Sequence, residues 1–141
     1  MQFHRGRLLD HVEIHSNDMA ASERFYRAVL AAVNPAIEVE VGDEGFFFDE
    51  VYVSPAKGGN LPKGHFAFQA FDKETVHRFY DAGLAAGGRD NGAPGFRKYH
   101  SNYYAAFLLD PDGHNVEAVF HGPAERSAES VVWEVDMGEN G

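Results

Sequence analysis

Three residues of this 141-residue chain combine types that bind metals: His11, His65 and Glu117. Two neutral imidazoles and one carboxylate are a common ligand set for zinc, nickel, iron or manganese, and they leave coordination positions open to water or substrate. An ion held this way acts as a Lewis acid on substrate oxygens. His100 and Glu13 are candidates to move a proton near neutral pH, His100 by its residue type and Glu13 because strand alternation puts it on the side of His11. Arg97, Asn102 and Tyr104, in a polar and aromatic run, are candidate contacts to a polar substrate, as are His15 and His121. The chain has eight histidines, so a triple of this kind needs further support.

An internal repeat supplies that support. Shifting the chain by about 54 positions places His11 on His65, Asp18 on Asp72, and Arg24-Phe25-Tyr26 on Arg78-Phe79-Tyr80. Each copy opens with strand character, over residues 9–15 and 65–71, in which alternate side chains share a face. His11, Glu13 and His15 then lie together in one copy, and His65, Ala67, Gln69 and Phe71 in the other. An Asp follows each strand as the expected N-cap of a helix, with Ala21, Phe25, Val29 and Ala32 spaced along the first and Val76, Phe79, Tyr80 and Leu84 along the second.

Asn34-Pro35 ends the first helix, and short strands are expected over 37–41, 46–48 and 51–54. After Gly87-Gly88 a loop is expected from Arg89 to about Arg97, then strands over 103–109 and 115–120. Asp110-Pro111-Asp112-Gly113 has the residue order of a type I turn and joins the last two strands, with His114 expected at the surface. Beyond it Glu117, Val119 and His121 alternate on one face. The expected organisation is one domain over 1–121, with modules at about 8–56 and 64–121, followed by an acidic extension over 122–141. Residues 131–135 have the composition either of an extra strand or of a surface tail.

Composition narrows the functional classes. A hydrophobic fraction of 44% and twelve phenylalanines supply a core for one domain of this length. A net charge of −10 argues against a nucleic-acid partner, because gripping a polyanion depends on Lys and Arg displacing its counterions. The absence of cysteine excludes disulfides and thiolate ligands, leaving His and carboxylate to hold any metal. No apolar run approaches the roughly 18 to 20 residues of a membrane span, and residues 1–5 lack the apolar core of a signal peptide, so no membrane partner and a cytoplasmic location are expected.

With these residues in view, the sequence resembles the vicinal oxygen chelate superfamily, which includes glyoxalase I, extradiol dioxygenases and the fosfomycin- and bleomycin-resistance proteins. The resemblance covers residues 8 to 121. It rests on Leu9-Asp10-His11 with Asp18, the Arg-Phe-Tyr of the first helix, Gly64-His65-Phe66-Ala67-Phe68, and Asp110-Pro111-Asp112-Gly113-His114-Asn115-Val116-Glu117. It implies an α+β fold of two βαβββ modules whose sheets curve around a pocket, with one divalent metal on His11, His65 and Glu117, zinc or nickel ahead of iron or manganese. It also implies a small-molecule substrate with adjacent oxygens, and a homodimer is consistent with relatives that pair modules between chains.

The favoured chemistry on this resemblance is glyoxalase-like isomerase or lyase chemistry, with a Glu or His moving the proton. A glyoxalase would take a second carboxylate from the first module, for which Asp49 and Glu50 are the acidic candidates, and His15 stands where those enzymes carry a basic residue for the glutathione carboxylate. The alternative is an extradiol dioxygenase, with His100 suitably placed but Phe107 at the position of the expected Tyr. An alternative of another class is a drug- or ligand-binding protein without turnover.

Overall fold

The repeat seen in the sequence folds as two successive strand-helix-strand units. The computed structural model describes residues 2–5, 9–58, 61–124 and 131–134. After β1 (Gln2–Arg5), the first unit runs through β2 (Val12–Ser16), α1 (Met19–Val33), β3 (Glu40–Val41), β4 (Phe46–Phe48) and β5 (Val51–Pro55). The second consists of β6 (His65–Gln69), α2 (Lys73–Ala85), β7 (Arg89–Phe96), β8 (Tyr104–Leu109) and β9 (Asn115–Phe120), and β10 (Val131–Glu134) follows. The sheets have equivalent orders, β2-β5-β4-β3 and β6-β9-β8-β7. In each, the opening strand is parallel to the last strand of its unit, and the other pairings are antiparallel.

Local hydrogen bonds explain the helix starts. The Asp18 carboxylate accepts the Ala21 backbone N–H at 3.0 Å, and Asp72 accepts that of Thr75 at 2.7 Å, satisfying donors that a first helical turn leaves unpaired. The Thr75 hydroxyl also donates to Asp72, and these bonds hold its carboxyl below the usual range. At the end of α2, Gly87 takes the left-handed conformation (φ +99°) that a helix C-terminus favours, and the Gly88 N–H returns to the Gly83 carbonyl at 2.8 Å.

Several elements differ from expectation. β2 begins at Val12, so His11 lies just before the paired strand. The expected strand over 37–41 shortens to β3. The loop expected after Gly88 is instead the edge strand β7, whose register with β8 shifts twice between Asp90 and Gly95. Such bulges accommodate the Gly- and Pro-containing sequence that reads as a loop. The late segment 131–134 is a strand, paired antiparallel with β1. The rest of the acidic extension, 125–130 and 135–141, lies outside the described residues. No helix among the described residues is long and apolar enough to cross a membrane.

Both units share one core. Phe25, Tyr26 and Val29 of α1 and Val76 and Phe79 of α2 are buried with Phe46, Phe48 and Val53 of the first sheet and Ala106, Leu108, Val116 and Ala118 of the second. Rings continue across the boundary, Tyr26 against Phe66 at 6.2 Å and Phe48 against Phe68 at 6.1 Å.

The turn after β8 clasps the units together. Tyr26 of α1 donates to buried Asp110 at 2.6 Å, and the Asn17 N–H donates to Asp112 at 2.7 Å. His114 is not at the surface as expected but 1% exposed. Its Nδ1 accepts the Gly64 N–H at 2.9 Å, so Nε2 carries the proton and donates to the His15 carbonyl at 2.8 Å. Because the core takes one face of each sheet, the candidate chemistry sits on the opposite faces.

Candidate functional site

On the outer face of the second sheet, Glu117 lies on β9 with Phe107 opposite it on β8 and Ala67 opposite it on β6. The carboxylate is 2% exposed, and a buried carboxylate is costly unless its oxygens find partners. Tyr103 donates its hydroxyl to Oε2. His65 Nε2 stands 3.3 Å from Oε1.

The proton inventory at His65 carries the reading of this pair. Nδ1 is 2.9 Å from the Asn115 carbonyl, which can only accept, so Nδ1 holds the ring proton. Nε2 then faces the carboxylate oxygen either as the N–H of a protonated ring, which pairs with it as an ion pair, or as the lone pair of a neutral ring, which would share a cation with it. Ligands about 2.0–2.2 Å from one ion lie about 2.9–3.4 Å apart, which matches this pair. A backbone carbonyl on the far nitrogen is also how metal-binding histidines are commonly oriented.

His11 has similar preparation in a different place. Its Nδ1 meets Asp10 Oδ1 at 2.8 Å and its side chain is 64% exposed, leaving Nε2 directed away from that carboxylate. It shares a groove with Phe47, Asp49, Glu50, Val51 and Tyr52. Among the described residues no group of three His, Cys, Asp or Glu is close enough to hold a metal. One chain therefore brings His65 and Glu117 together without His11, contrary to a triad gathered within a single chain, because the shared core occupies the faces through which the two sheets meet.

The register also addresses the second carboxylate expected of a glyoxalase. Glu117 pairs with Ala67, whose repeat equivalent is Glu13, and Glu13 pairs with Tyr52. The position equivalent to Glu117 is thus Tyr52, not Asp49 or Glu50. Asp49 is in the turn before β5 with φ +49°, and the Glu50 carbonyl accepts the Val12 N–H at 2.6 Å.

The remaining candidates divide by strand alternation. Tyr103 faces Glu117, and its phenol is pushed up to about 12, first by desolvation and then by the bond to Glu117 and that group's charge. Tyr104, expected at the site, points to the helix side instead, where its hydroxyl meets His77 Nε2 at 2.6 Å and its ring packs on Phe96. Tyr103 was within the run noted in the sequence, but choosing it over Tyr104 required knowing where β8 begins. Asn102, with φ +69°, is a turn residue beside Gly122.

His100 and His121 stack at 5.0 Å, with Tyr103 edge-on to both. His100 Nδ1 donates to the Ser101 carbonyl at 2.6 Å, and its Nε2 shares a hydrogen bond with His121 Nδ1 at 2.8 Å. Arg97 lays its guanidinium over Phe107 at 5.3 Å and donates to the carbonyls of Ala93 and Gly95. Phe107 in turn stacks on His65 at 6.3 Å. Through Phe107 and Tyr103, Arg97, His100 and His121 border the His65–Glu117 pair.

On the first sheet, Glu13 and His15 share a groove of about 550 Å³ with Tyr52 and Ser54. Ser54 joins the two side chains and had no signal in the sequence.

A sequence profile of the Glyoxalase/Bleomycin resistance protein/Dioxygenase superfamily matches residues 8–118. Similar solved structures include a glyoxalase/bleomycin resistance protein from Albidiferax ferrireducens, 27% identical, with a TM-score of 0.68 over 81% of this chain and 98% of that one. A lactoylglutathione lyase from Agrobacterium tumefaciens is 20% identical, with a TM-score of 0.61 over 82% and 94%. Oxidase ChaP-H2 is also 20% identical at a TM-score of 0.61, over 83% and 95%. No curated protein matches the sequence.

Proposed function

Because the chain belongs to the Glyoxalase/Bleomycin resistance protein/Dioxygenase superfamily, we propose that it is a divalent-metal-dependent enzyme acting on a small substrate with two adjacent oxygens. Glyoxalase-like isomerase or lyase chemistry is favoured. The observation carrying this reading is His65 Nε2 held 3.3 Å from Glu117 Oε1, with Nδ1 anchored on the Asn115 carbonyl, the spacing and orientation that two ligands of one ion would have. His65 and Glu117 would hold the ion, zinc or nickel before iron or manganese, and His11 completes the set. A bound ion supplies Lewis-acid polarisation of the two substrate oxygens.

The chain's own groups serve the rest of the reaction. Tyr103 fixes the Glu117 carboxylate through its hydroxyl and remains protonated at neutral pH, so it keeps donating. Phe107 and Tyr103 keep water from that carboxylate. Arg97 offers a cation at the rim for an anionic part of the substrate. Glu13 and His100 are the groups placed to hold or move a proton.

Because the described residues of one chain form no group of three such ligands, a second copy of the chain would supply His11 in this reading. Among the described residues β2 and β6 are edge strands, each paired on one side only, and they border an apolar groove of about 380 Å³ lined by Leu9, Val12 and Phe66 among others. Unpaired edges beside exposed Leu9 and Val12 favour covering by another chain.

Elemental analysis tests the proposal. About one equivalent of zinc or nickel per chain is expected, lost in His65→Ala and in His11→Ala. Mixing His11→Ala with Glu117→Gln chains should restore about a quarter of the sites, since only a mixed pair contains one intact set. No recovery in mixed dimers overturns the shared site. Iron with ring opening of a catechol would instead favour a dioxygenase, a reading supported by His100 and Tyr103 beside Glu117. Saturable ligand binding with no metal after reloading would make it a binding protein.

A further inference from the structure

One buried ring, that of His114, joins the strand ends around the His65–Glu117 pair. The Gly64 N–H points at Nδ1 from 2.9 Å, so that nitrogen presents a lone pair and Nε2 carries the proton it donates to the His15 carbonyl at 2.8 Å. Bonded at both nitrogens and shielded from water, the ring has one orientation open to it. His15 is on β2, and its carbonyl points to the side that β5 leaves unpaired, since the Val12 N–H and the Ser16 carbonyl both bond on the β5 side. The ring therefore bridges the opening strands of the two units, one residue before His65. From Gly64 the bonds continue to the pair itself. The Asn115 N–H donates to the Gly64 carbonyl at 2.9 Å, and the Asn115 carbonyl receives His65 Nδ1 at 2.9 Å. Two residues along the same strand pairing, Ala67 stands opposite Glu117, so a slip at Gly64 would change what faces the carboxylate.

We propose that His114 is the positioning residue of the His65–Glu117 pair: by accepting from Gly64 while donating to His15, it fixes the start of β6 against β9 and, through Asn115, the ring of His65 against the carboxylate. The turn before it is built to present that ring. Asp110 Oδ1 accepts the His114 N–H at 2.8 Å and the Asp110 N–H donates to the His114 carbonyl at 2.9 Å, so the backbone of His114 is held on both sides. Its effect on ion binding rests on the metal reading, whereas its effect on His65 rests on hydrogen bonds alone. Outer partners that orient a ligand commonly change metal affinity 10- to 100-fold. Glutamine carries an acceptor and a donor about as far apart as the two ring nitrogens and can replace both bonds, whereas leucine fills the space and replaces neither.

Two measurements on the full chain test this. Long-range proton–nitrogen NMR of the metal-free protein at neutral pH, with His114→Gln used to assign the ring, should find His114 neutral with its proton on Nε2. A proton on Nδ1 overturns the proposal whatever the protein binds. In the same spectra the His65 Nδ1 resonance should move in His114→Leu toward its position in the urea-unfolded chain, and stay in place in His114→Gln. The second measurement is calorimetric zinc titration, with circular dichroism confirming the fold. His114→Leu should bind zinc at least about 10-fold more weakly than the wild type, and His114→Gln within about 3-fold of it. An unmoved His65 resonance, or an unchanged zinc affinity, in a folded His114→Leu overturns the proposal. If His114→Leu does not fold, His114→Gln decides the matter, and a displaced His65 resonance there overturns it. A wild type that binds no zinc overturns the metal reading and leaves the His65 resonance to decide the positioning role.

Discussion

The two outer faces descend from one repeated pattern and have diverged in what they hold. At equivalent positions the second sheet places Ala67 opposite Glu117, and the first places Glu13 opposite Tyr52. A carboxylate is present on both, but on opposite strands of the pair. On the second sheet it is buried beneath Tyr103 and Phe107, facing Nε2 of His65 at 3.3 Å. On the first it is tied to a serine and, through it, to His15, a setting that orients a proton. The difference shows how a duplicated framework can give its two copies different polar settings. The sheet register fixes where side chains can be, and one exchange across a strand pair changes what they do.

The largest effect on this contrast should come from Glu117→Gln. It removes the anionic ligand yet keeps a group able to accept from Tyr103, so metal affinity should fall by at least about 100-fold while the protein remains folded; calorimetric zinc titration with circular dichroism measures both. Retained affinity would mean that the ion, if any, sits elsewhere. The complementary change, Tyr52→Glu, places a carboxylate where the repeat calls for one. It should raise metal affinity by about 10-fold by the same titration, and an unchanged value would separate the first face from the metal altogether.

The clasp that turns the faces apart can be weakened next. Tyr26→Phe leaves buried Asp110 without its phenolic donor and should cost about 1–3 kcal/mol in urea unfolding, with the metal-binding pair intact. The same bond gives a pH signature. Tyr26 is held well above the ordinary tyrosine range, first by burial and then by the charge of Asp110, and Tyr103 is pushed up to about 12. Folded-state values raised above the unfolded one keep their full contribution below about pH 10 and lose it as pH rises through the folded values. Stability should therefore decline above about pH 10, less steeply in Tyr26→Phe. The smallest effect is expected at a helix start: Asp18→Ala should cost about 1 kcal/mol and leave metal content unchanged.

What the sequence determined by itself is the part governed by neighbours along the chain. The 54-residue repeat, the caps at Asp18 and Asp72, and the Asp110 turn all follow from periodicity and hydrogen bonds a few residues long. So does the facing of Glu117 away from the core, since alternation along a strand needs only one buried neighbour such as Val116 to set its phase. Residue type and repeat position singled out His65 and Glu117, which the fold brings within 3.3 Å, whereas His11 lies just before its strand. The tertiary structure alone decided the contacts made across many residues. It buried His114 between the units, turned Tyr103 rather than Tyr104 toward Glu117, placed Tyr52 at the repeat equivalent of Glu117, and inserted Ser54 between Glu13 and His15. It also left His11 apart from His65 and Glu117 within one chain. These outcomes depend on strand register and on how two sheets share one core, and both are fixed by long-range packing, which local periodicity does not encode.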